Sequence, residues 1–341
     1  MNVAEVAANL EQFRGNLYGS NVLVTGGAGF LGSWFCDVLY LTGANTVCVD
    51  NLASGDESNI AHLMGKKGFT FVKANLLDWK PDRKFDYIVH MASIASPPLY
   101  MKRPIDTLDC NILGTRKLLE LAKEQKAKGF LMMSTSEVYG NPPDEWVPTP
   151  ETFQGQVNSF GVRSMYDEGK RAAEAYCYSY HKEYKVPVRI ARTFNTYGPR
   201  LDSKETSQYG RALVRFVKQA LKNEPITVYG DGTQTRSFCY VSDQISGLFR
   251  LLLMPGLDGE TVNIGNPKEH SILELAEAII RLTGSKSPIQ KHAEPHYDLR
   301  DDPRRRCPDI SKAKRLLQWE PSVPLENGLK TTIEWFRGRG G

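Results

Sequence analysis

The residues that could do chemistry lie in two short stretches, and STSEVYG at 134–140 is the first. It follows the apolar run GFLMM, which predicts a buried parallel strand. Open α/β sheets bind their ligands at the carboxyl ends of their strands. We therefore expect three polar side chains at a binding site, those of Thr135, Ser136 and Glu137.

The second stretch is YDEGK at 166–170, within a segment of helical periodicity. A spacing of four residues places Tyr166 and Lys170 on the same face of a helix. A lysine ammonium beside a phenol favours the phenolate, and Thr135 could share a hydrogen bond with that phenol. We predict that these three side chains form a catalytic triad in which the phenolate removes a proton from a hydroxyl group.

A glycine-rich turn lies between a predicted apolar strand and an amphipathic helix, in NVLVTGGAGFLGSWF. Its glycines fit two related spacings, G-x-G-x-x-G at 27, 29 and 32 or G-x-x-G-x-x-G at 26, 29 and 32. Positions without side chains let the backbone approach a pyrophosphate, which then lies at the N-terminus of the helix. The turn therefore predicts a dinucleotide site, although such turns also occur in other α/β proteins.

The end of the next predicted strand favours NAD as that dinucleotide. Asp50 follows TVCV about 20 residues after the turn. An acid there accepts hydrogen bonds from ribose hydroxyls and repels a 2′-phosphate. A nicotinamide would accept a hydride while the phenolate removes a proton from a sugar hydroxyl. The predicted cofactor contacts are Gly26, Gly29, Phe30, Leu31, Gly32, Asp50, Asn51, Tyr166 and Lys170.

The elements that must position these residues alternate between strands and helices. Strands are predicted at 69–75 and 85–93, and helices at 106–126 and 164–184. This alternation predicts an α/β fold with a Rossmann-type, doubly wound parallel sheet. Shorter elements after about residue 195 indicate a smaller, mixed α/β C-terminal substrate lobe. The predicted divisions are an N-terminal helical arm at 1–20, an NAD-binding domain at 21–194 and a substrate lobe at 195–341, partly interleaved with the second.

Composition narrows the class of protein. The 341 residues are 41% hydrophobic and 24% charged, which is typical of a globular protein with ample core. A net charge of +4 argues against a nucleic-acid partner. We expect a cytoplasmic protein without a membrane partner, because no apolar run is long enough to span a bilayer and no signal-peptide pattern is seen. The six cysteines show no CxxC pairing, so reduced thiols and no metal are expected.

Together, these features resemble the extended short-chain dehydrogenase/reductase superfamily of nucleotide-sugar enzymes. The resemblance runs from about residue 21 to about residue 337. Within the superfamily, the chain is most similar to the UDP-glucuronic acid decarboxylases, which form UDP-xylose. The similar segments are ASPPLY, GVRSMYDEGKR, RTFNTYGPR, VYGDGTQTRSFCYVSD and DDPRRRCPDISKAK.

This resemblance implies oxidation of UDP-glucuronate at C4, loss of CO2 from the 4-keto intermediate and re-reduction. Nucleotide-sugar 4,6-dehydratases typically read Thr-Asp-Glu after the strand, and 4-epimerases carry no acid in the third place. This chain has serine before Glu137, the arrangement of the decarboxylases. Glu137 would lie near C5 and its carboxylate. Arg306, in the R-x-P-D-I segment, would hold that carboxylate or protonate C5.

The resemblance also implies a nucleotide-binding set. Asn195 and Arg236 would contact the diphosphate, and Tyr229 would line the nucleobase pocket. The complete predicted set is Tyr100, Asn195, Arg211, Tyr229 and Arg236. The chain departs from the family pattern at NLASGDESN, at Asn75-Leu76, at Ile94 and in GRALVRF, which brings Arg215 near this site.

Two other functions remain open on the same sequence. One is a nucleotide-sugar 4,6-dehydratase or 4-epimerase, which would use the same scaffold. The other is a non-catalytic regulator that binds NAD or a nucleotide sugar, which would be expected to lose the tyrosine or the lysine. The family also implies a homodimer, formed by the helices predicted at 106–126 and 164–184.

Overall fold

The computed structural model describes residues 2–201, 212–292 and 304–339. Its strands are β1 (Asn21–Thr25), β2 (Asn45–Asp50), β3 (Phe69–Lys73), β4 (Tyr87–His90), β5 (Gly129–Thr135), β6 (Val188–Thr193), β7 (Thr196–Tyr197), β8 (Ile226–Tyr229), β9 (Thr235–Ser237), β10 (Cys239–Tyr240), β11 (Thr261–Ile264), β12 (Glu269–Ser271) and β13 (Ile289–His292). Its helices are α1 (Val3–Ala8), α2 (Arg14–Leu17), α3 (Phe30–Leu41), α4 (Pro97–Lys102), α5 (Pro104–Gln125), α6 (Ser164–Tyr184), α7 (Ala212–Leu221), α8 (Val241–Leu253), α9 (Ile272–Thr283), α10 (Ser311–Leu317) and α11 (Leu325–Gly338).

Seven parallel strands form the central sheet, in the order β11–β6–β5–β4–β1–β2–β3. Side chains of β1 alternate between two cores, with Val24 in the core that α3 and α8 cover and Leu23 in the core that α5 and α6 cover. In the first core, the rings of Phe35 and Phe249 stack with centroids 3.9 Å apart. Helices on both faces of a parallel sheet confirm the predicted Rossmann-type, doubly wound fold.

The strand order explains where a site can form. From β1, the chain runs outward through β2 and β3, then crosses back to β4 and continues through β5 and β6 in the other direction. Ligands bind at such a switch point, outside the carboxyl ends of the strands. Strand β3 ends at Lys73 and β4 ends at His90, earlier than the predicted ends at 75 and 93. The residues that follow each strand turn away from the sheet and form part of the wall of a cavity.

The later part of the chain returns to the central sheet. Strand β11 pairs with β6 at the edge, and α8 packs on the face. The pairs β8/β13 and β9/β12 form two small sheets outside it. The division of the chain at residue 195 stays a prediction.

The N-terminal residues pack on the outside of the sheet. Two short helices, α1 and α2, occupy the segment predicted as an N-terminal helical arm. The fully buried Val6 and Leu10 lie in the same core as α3 and α8. Within residues 2–201, 212–292 and 304–339, no helix combines the length and the apolar character that crossing a membrane would take.

Candidate active site

A large cavity opens at the carboxyl ends of the central strands, with a volume of about 1080 Å³. It extends from the glycine turn after β1, past the end of β5, to the small sheets of the later lobe. All of the site residues predicted from the sequence line this cavity, apart from Arg211, which lies outside the described residues. The fold therefore brings together side chains that are up to 280 positions apart, from Gly26 to Arg306.

The glycine turn is too tight for side chains. Gly26 has a φ of +73°, and a Cβ on Gly32 would lie 2.2 Å from the Gly26 carbonyl oxygen. A Cβ on Gly27 would lie 2.5 Å from the Sγ of Cys48, so this glycine is needed for packing on the sheet. The turn leads directly into α3, whose first turn has no side-chain cap. Its free backbone N–H groups can therefore face an anion.

Asp50 ends β2 beside this turn. Its Oδ2 accepts a hydrogen bond from the Ala28 amide at 3.0 Å, and its Oδ1 accepts one from the Leu52 amide at 2.8 Å. Burial raises the pKa of the carboxyl group, and the two amide hydrogen bonds oppose that rise. The amides hold the carboxylate against the cavity wall. Turn, helix start and carboxylate together fit a dinucleotide with its pyrophosphate at α3 and a ribose at Asp50.

Tyr166 and Lys170 lie in the first two turns of α6, facing the end of β5. The Lys170 Nζ donates to the Met133 carbonyl oxygen at 2.8 Å and lies 6.0 Å from the centroid of the Tyr166 ring. Burial lowers the pKa of Lys170 to about 8. The ring of Tyr166 stacks on that of Tyr100, with centroids 5.4 Å apart and planes 10° from parallel. We call Thr135, Tyr166 and Lys170 the phenol side of the cavity.

Glu137 lies in the 3-10 turn that continues β5, where its backbone amide donates to the Thr135 Oγ1 at 3.3 Å. Its carboxylate is held by two guanidinium groups. Arg306 donates to both of its oxygens, through Nη2 at 2.8 Å and through Nη1, and Arg163 donates to its Oε2. Burial alone would raise the pKa of Glu137, but the charges of Arg163, Arg306 and Arg236 hold it below its usual value. We call Glu137, Arg163 and Arg306 the guanidinium side.

Two residues of this cluster were not singled out from the sequence. Arg163 immediately precedes α6, and Asp167 follows Tyr166, so their side chains lie one helical turn apart. The Arg163 Nε lies 3.5 Å from the Asp167 Oδ2. The four-residue spacing of arginine and aspartate in GVRSMYDEGKR is the signal that could have pointed to this pair.

The structure distinguishes the three consecutive arginines at 304–306. Arg305 pairs with Glu269, at 2.5 Å, and is partly exposed. Arg306 is buried, and it is the member of the run that bonds to Glu137. Arg304 lines the cavity, and its carbonyl oxygen accepts from the Thr235 amide.

The residues predicted for the nucleotide lie toward the other end of the cavity. Asn195 has a left-handed backbone, with a φ of +25°, and its buried Nδ2 has no hydrogen-bond partner among the described residues. Arg236 donates to the Thr235 carbonyl oxygen at 2.8 Å. The guanidinium carbon of Arg215 lies 4.9 Å from the centroid of the Tyr229 ring. This wall therefore offers amide, guanidinium and aromatic groups to a ligand.

Fold and site together match a known class. The model of the NAD dependent epimerase/dehydratase family matches residues 22–265. The chain belongs to the NAD dependent epimerase/dehydratase family. Among its relatives is UDP-glucuronic acid decarboxylase 1 of Xenopus tropicalis. The two are 47% identical over 316 residues, an alignment that covers 93% of this chain and 72% of the relative.

Solved structures agree with this assignment. An epimerase of Methanothermobacter thermautotrophicus superposes with a TM-score of 0.85 and 30% identity, covering 97% of this chain and 95% of that one. The UDP-glucuronic acid 4-epimerase of Bacillus cereus, in complex with NAD, gives a TM-score of 0.81 and 30% identity, covering 94% of this chain and 100% of that one. The resemblance to extended short-chain dehydrogenases inferred from the sequence is confirmed.

Proposed function

We propose that this protein is an NAD-dependent decarboxylase that converts UDP-glucuronate to UDP-xylose. The observation that carries the proposal is the ion cluster of Glu137 with Arg306 and Arg163, placed in the same cavity as the Tyr166–Lys170 pair. A site for C4 oxidation thereby lies next to groups that can handle a carboxylate. The similarity to a UDP-glucuronic acid decarboxylase supports the same substrate.

The phenol side would serve the oxidation and the later reduction at C4. NAD, when bound along the glycine turn and Asp50, supplies the acceptor for the hydride from C4. Tyr166 would accept the proton of the C4 hydroxyl, and Thr135, which lines the same cavity, would share a hydrogen bond with the phenol. The ammonium of Lys170 stabilises the phenolate, since opposite charge favours the ionised form. In the final reduction, Tyr166 returns the proton to the C4 oxygen.

The guanidinium side would serve the loss of CO2. Oxidation at C4 makes the substrate a β-keto acid, in which the bond from C5 to the carboxylate breaks and its electron pair passes into an enolate. Arg306 would hold the carboxylate, in competition with the ionised Glu137 that it already binds. Departure of CO2 lets Arg306 return to Glu137, and C5 of the enolate then takes up a proton that comes from solvent, directly or through Arg306. No water is expelled, so Ser136 suffices where a dehydratase has an aspartic acid.

For the nucleotide, we infer that Arg236 and Asn195 bind the diphosphate and that Tyr229 and Tyr100 line the rest of the pocket. A guanidinium presents several donors to phosphate oxygens. The amide of Asn195, whose Nδ2 has no partner within the described ranges, provides one further donor. The predicted contact of Arg211 lies outside the described residues and stays a prediction, as does the cytoplasmic location.

We further infer a homodimer built on α5 and α6. These helices pack against each other, and each leaves large apolar side chains exposed. On α5 these are Ile105 and Leu113, and on α6 they are Tyr178 and Tyr184. A second copy of the chain could cover them. A sedimentation experiment that finds monomers at micromolar concentration would contradict the dimer.

The decisive experiment is a mass spectrum of the products formed from UDP-glucuronate and NAD. We expect a UDP-pentose whose mass is lower than that of UDP-glucuronate by the mass of one CO2. A product of unchanged mass, with an inverted C4, would replace the decarboxylase by an epimerase. Parallel reactions with NADP test the cofactor, and we expect them to be slower because Asp50 repels a 2′-phosphate.

A further inference from the structure

Arg163 stands between two buried carboxyl groups. Its Nη2 donates to the Oε2 of Glu137, and its Nε lies 3.5 Å from the Oδ2 of Asp167. The side chain of Arg163 is 13% exposed, and those of its two partners are 15% and 7% exposed. Any change in the charge of Asp167 therefore acts on the same guanidinium that holds Glu137.

Asp167 is not part of the cavity wall. Its Oδ1 is buried and has no hydrogen-bond partner among the described residues. The charged and titratable groups that act on it come from four elements: Arg163 at the start of its own helix, Glu137 after β5, Arg306 in the segment before α10, and Tyr100 on α4. Asp167 therefore contacts the guanidinium side through Arg163 without lining the cavity itself.

The charge of Asp167 changes at a pH near neutrality. Burial raises the pKa of Asp167 to about 7, and the negative charge of Glu137 adds to the rise, while Arg163 and Arg306 oppose it. With Asp167 neutral, two arginines face one carboxylate, and the cluster has a net charge of +1. With Asp167 ionised, two arginines face two carboxylates, and the cluster is neutral.

We propose that Asp167 is a positioning residue that sets the affinity of the guanidinium side for a substrate carboxylate. Neutral Asp167 leaves Arg163 to Glu137 and leaves the positive charge of Arg306 available to an incoming anion. Ionised Asp167 attracts Arg163 away from Glu137. Glu137 then binds Arg306 more strongly and competes better with the substrate carboxylate for it. This proposal rests on the decarboxylase function, since it concerns a substrate that carries a carboxylate.

A matched pair of ligands isolates this effect. UDP-glucuronate and UDP-xylose share the nucleotide and the diphosphate and differ in the carboxylate, which is ionised throughout the range above pH 5.5. The ratio of their dissociation constants therefore reports on the carboxylate alone. We expect UDP-glucuronate to lose about tenfold in affinity relative to UDP-xylose from pH 5.5 to pH 7.5, as for one unit charge several ångströms away.

The experiment measures both dissociation constants by calorimetry on the protein loaded with NADH, which cannot oxidise C4. Asp167→Asn should remove the pH dependence and keep the ratio at its pH 5.5 value. Glu168→Gln is the control, because Glu168 is the next residue of α6 and pairs with Arg171 at the surface. It should leave the pH dependence of the wild-type protein unchanged.

Other outcomes overturn the inference or its foundation, and they can be told apart. An Asp167→Asn variant that keeps the wild-type pH dependence contradicts the role of Asp167, and so does a wild-type ratio that is constant with pH. The decarboxylase function stands in both cases if UDP-xylose is formed. A protein that forms no UDP-pentose and binds UDP-glucuronate no better than UDP-xylose at any pH contradicts the proposed function itself. The wild-type measurement needs no variant to fold.

Discussion

The phenol side and the guanidinium side of the cavity are built in different ways. On the phenol side, Tyr166 and Lys170 are four residues apart on one helix, and the lysine bonds to a backbone carbonyl of the neighbouring strand. On the guanidinium side, Glu137 bonds to arginines that are 26 and 169 residues away. The helix alone aligns Tyr166 with Lys170, and one helix–strand packing adds Thr135. The guanidinium side needs a third segment, which brings Arg306 from far along the chain.

The two sides also treat charge differently. Lys170 is a buried cation whose pKa falls to about 8 because of burial, so it loses its charge at a lower pH than an exposed lysine does. Glu137 is a buried anion that three arginines hold ionised, although burial alone would raise its pKa. Burial therefore weakens the charge of the lysine on the first side, whereas neighbouring charges preserve that of Glu137 on the second.

The largest expected effect tests the phenol side. Tyr166→Phe should lower kcat with UDP-glucuronate by about 10³-fold, since general acid–base groups contribute about 10²- to 10⁴-fold. The affinity for UDP should remain the same, because the ring and its stacking on Tyr100 are kept. Tyr176→Phe, on the same helix but outside the cavity wall, is the control. Turnover by the Tyr166 variant at the wild-type rate would show that the phenol is not the base.

The next effect tests the guanidinium side. Arg306→Ala should lower kcat/KM by about 10²-fold, because it removes two hydrogen bonds to Glu137 and the predicted contact with the substrate carboxylate. Arg305→Ala is the matched control, since Arg305 and its partner Glu269 both lie outside the cavity wall. We expect it to change kcat/KM by less than about threefold. Equal losses in the two steady-state assays would refute the assignment of Arg306.

How far the sequence predicts the site follows from the same contrast. The strand, the glycine turn and the Tyr-Lys spacing are local patterns, so the fold class and the phenol side could be predicted with correct helix bounds at 164–184. Arg306 was found through a resemblance, because nothing local separates it from Arg305. Arg163 and Asp167 were missed: their four-residue spacing is visible in the sequence, but the contact of Arg163 with Glu137 forms only when the turn after β5 meets the start of α6. Ion pairs between distant segments leave no periodicity in a sequence.

A smaller effect divides the guanidinium side itself. Arg163→Gln should lower kcat/KM by about tenfold, less than the loss of Arg306, because Glu137 keeps both hydrogen bonds to Arg306. Arg163→Lys should recover part of that loss through its charge, but it cannot reach both carboxyl groups as a guanidinium does. A steady-state comparison of the two variants measures this. A loss as large as that of Arg306→Ala would mean that the two arginines act as one unit.

The smallest effect concerns the stability of the fold. It tests whether the charge of Asp167, next to the guanidinium side, depends on pH. Because the pKa of Asp167 is about 7 in the folded protein, against about 4 in an unfolded chain, the folded state binds the extra proton between these values. The contribution of Asp167 to the free energy of unfolding therefore falls as pH rises from about 4 to about 7. Asp167→Asn lacks this loss, so its stability relative to the wild type should rise over the same range.

We expect that relative gain to be on the order of 2 kcal/mol between pH 5 and pH 7.5, or about 4 °C in Tm. Thermal melts of the two proteins at both pH values, at one scan rate and without ligand, measure the change in their difference. Glu168→Gln should show no such trend, because its carboxylate is near the surface. A difference in Tm that is the same at both pH values would mean that Asp167 is ionised throughout. In that case Asp167 and Glu137 would both stay ionised, and the net charge of the two carboxylates and two arginines would not change with pH.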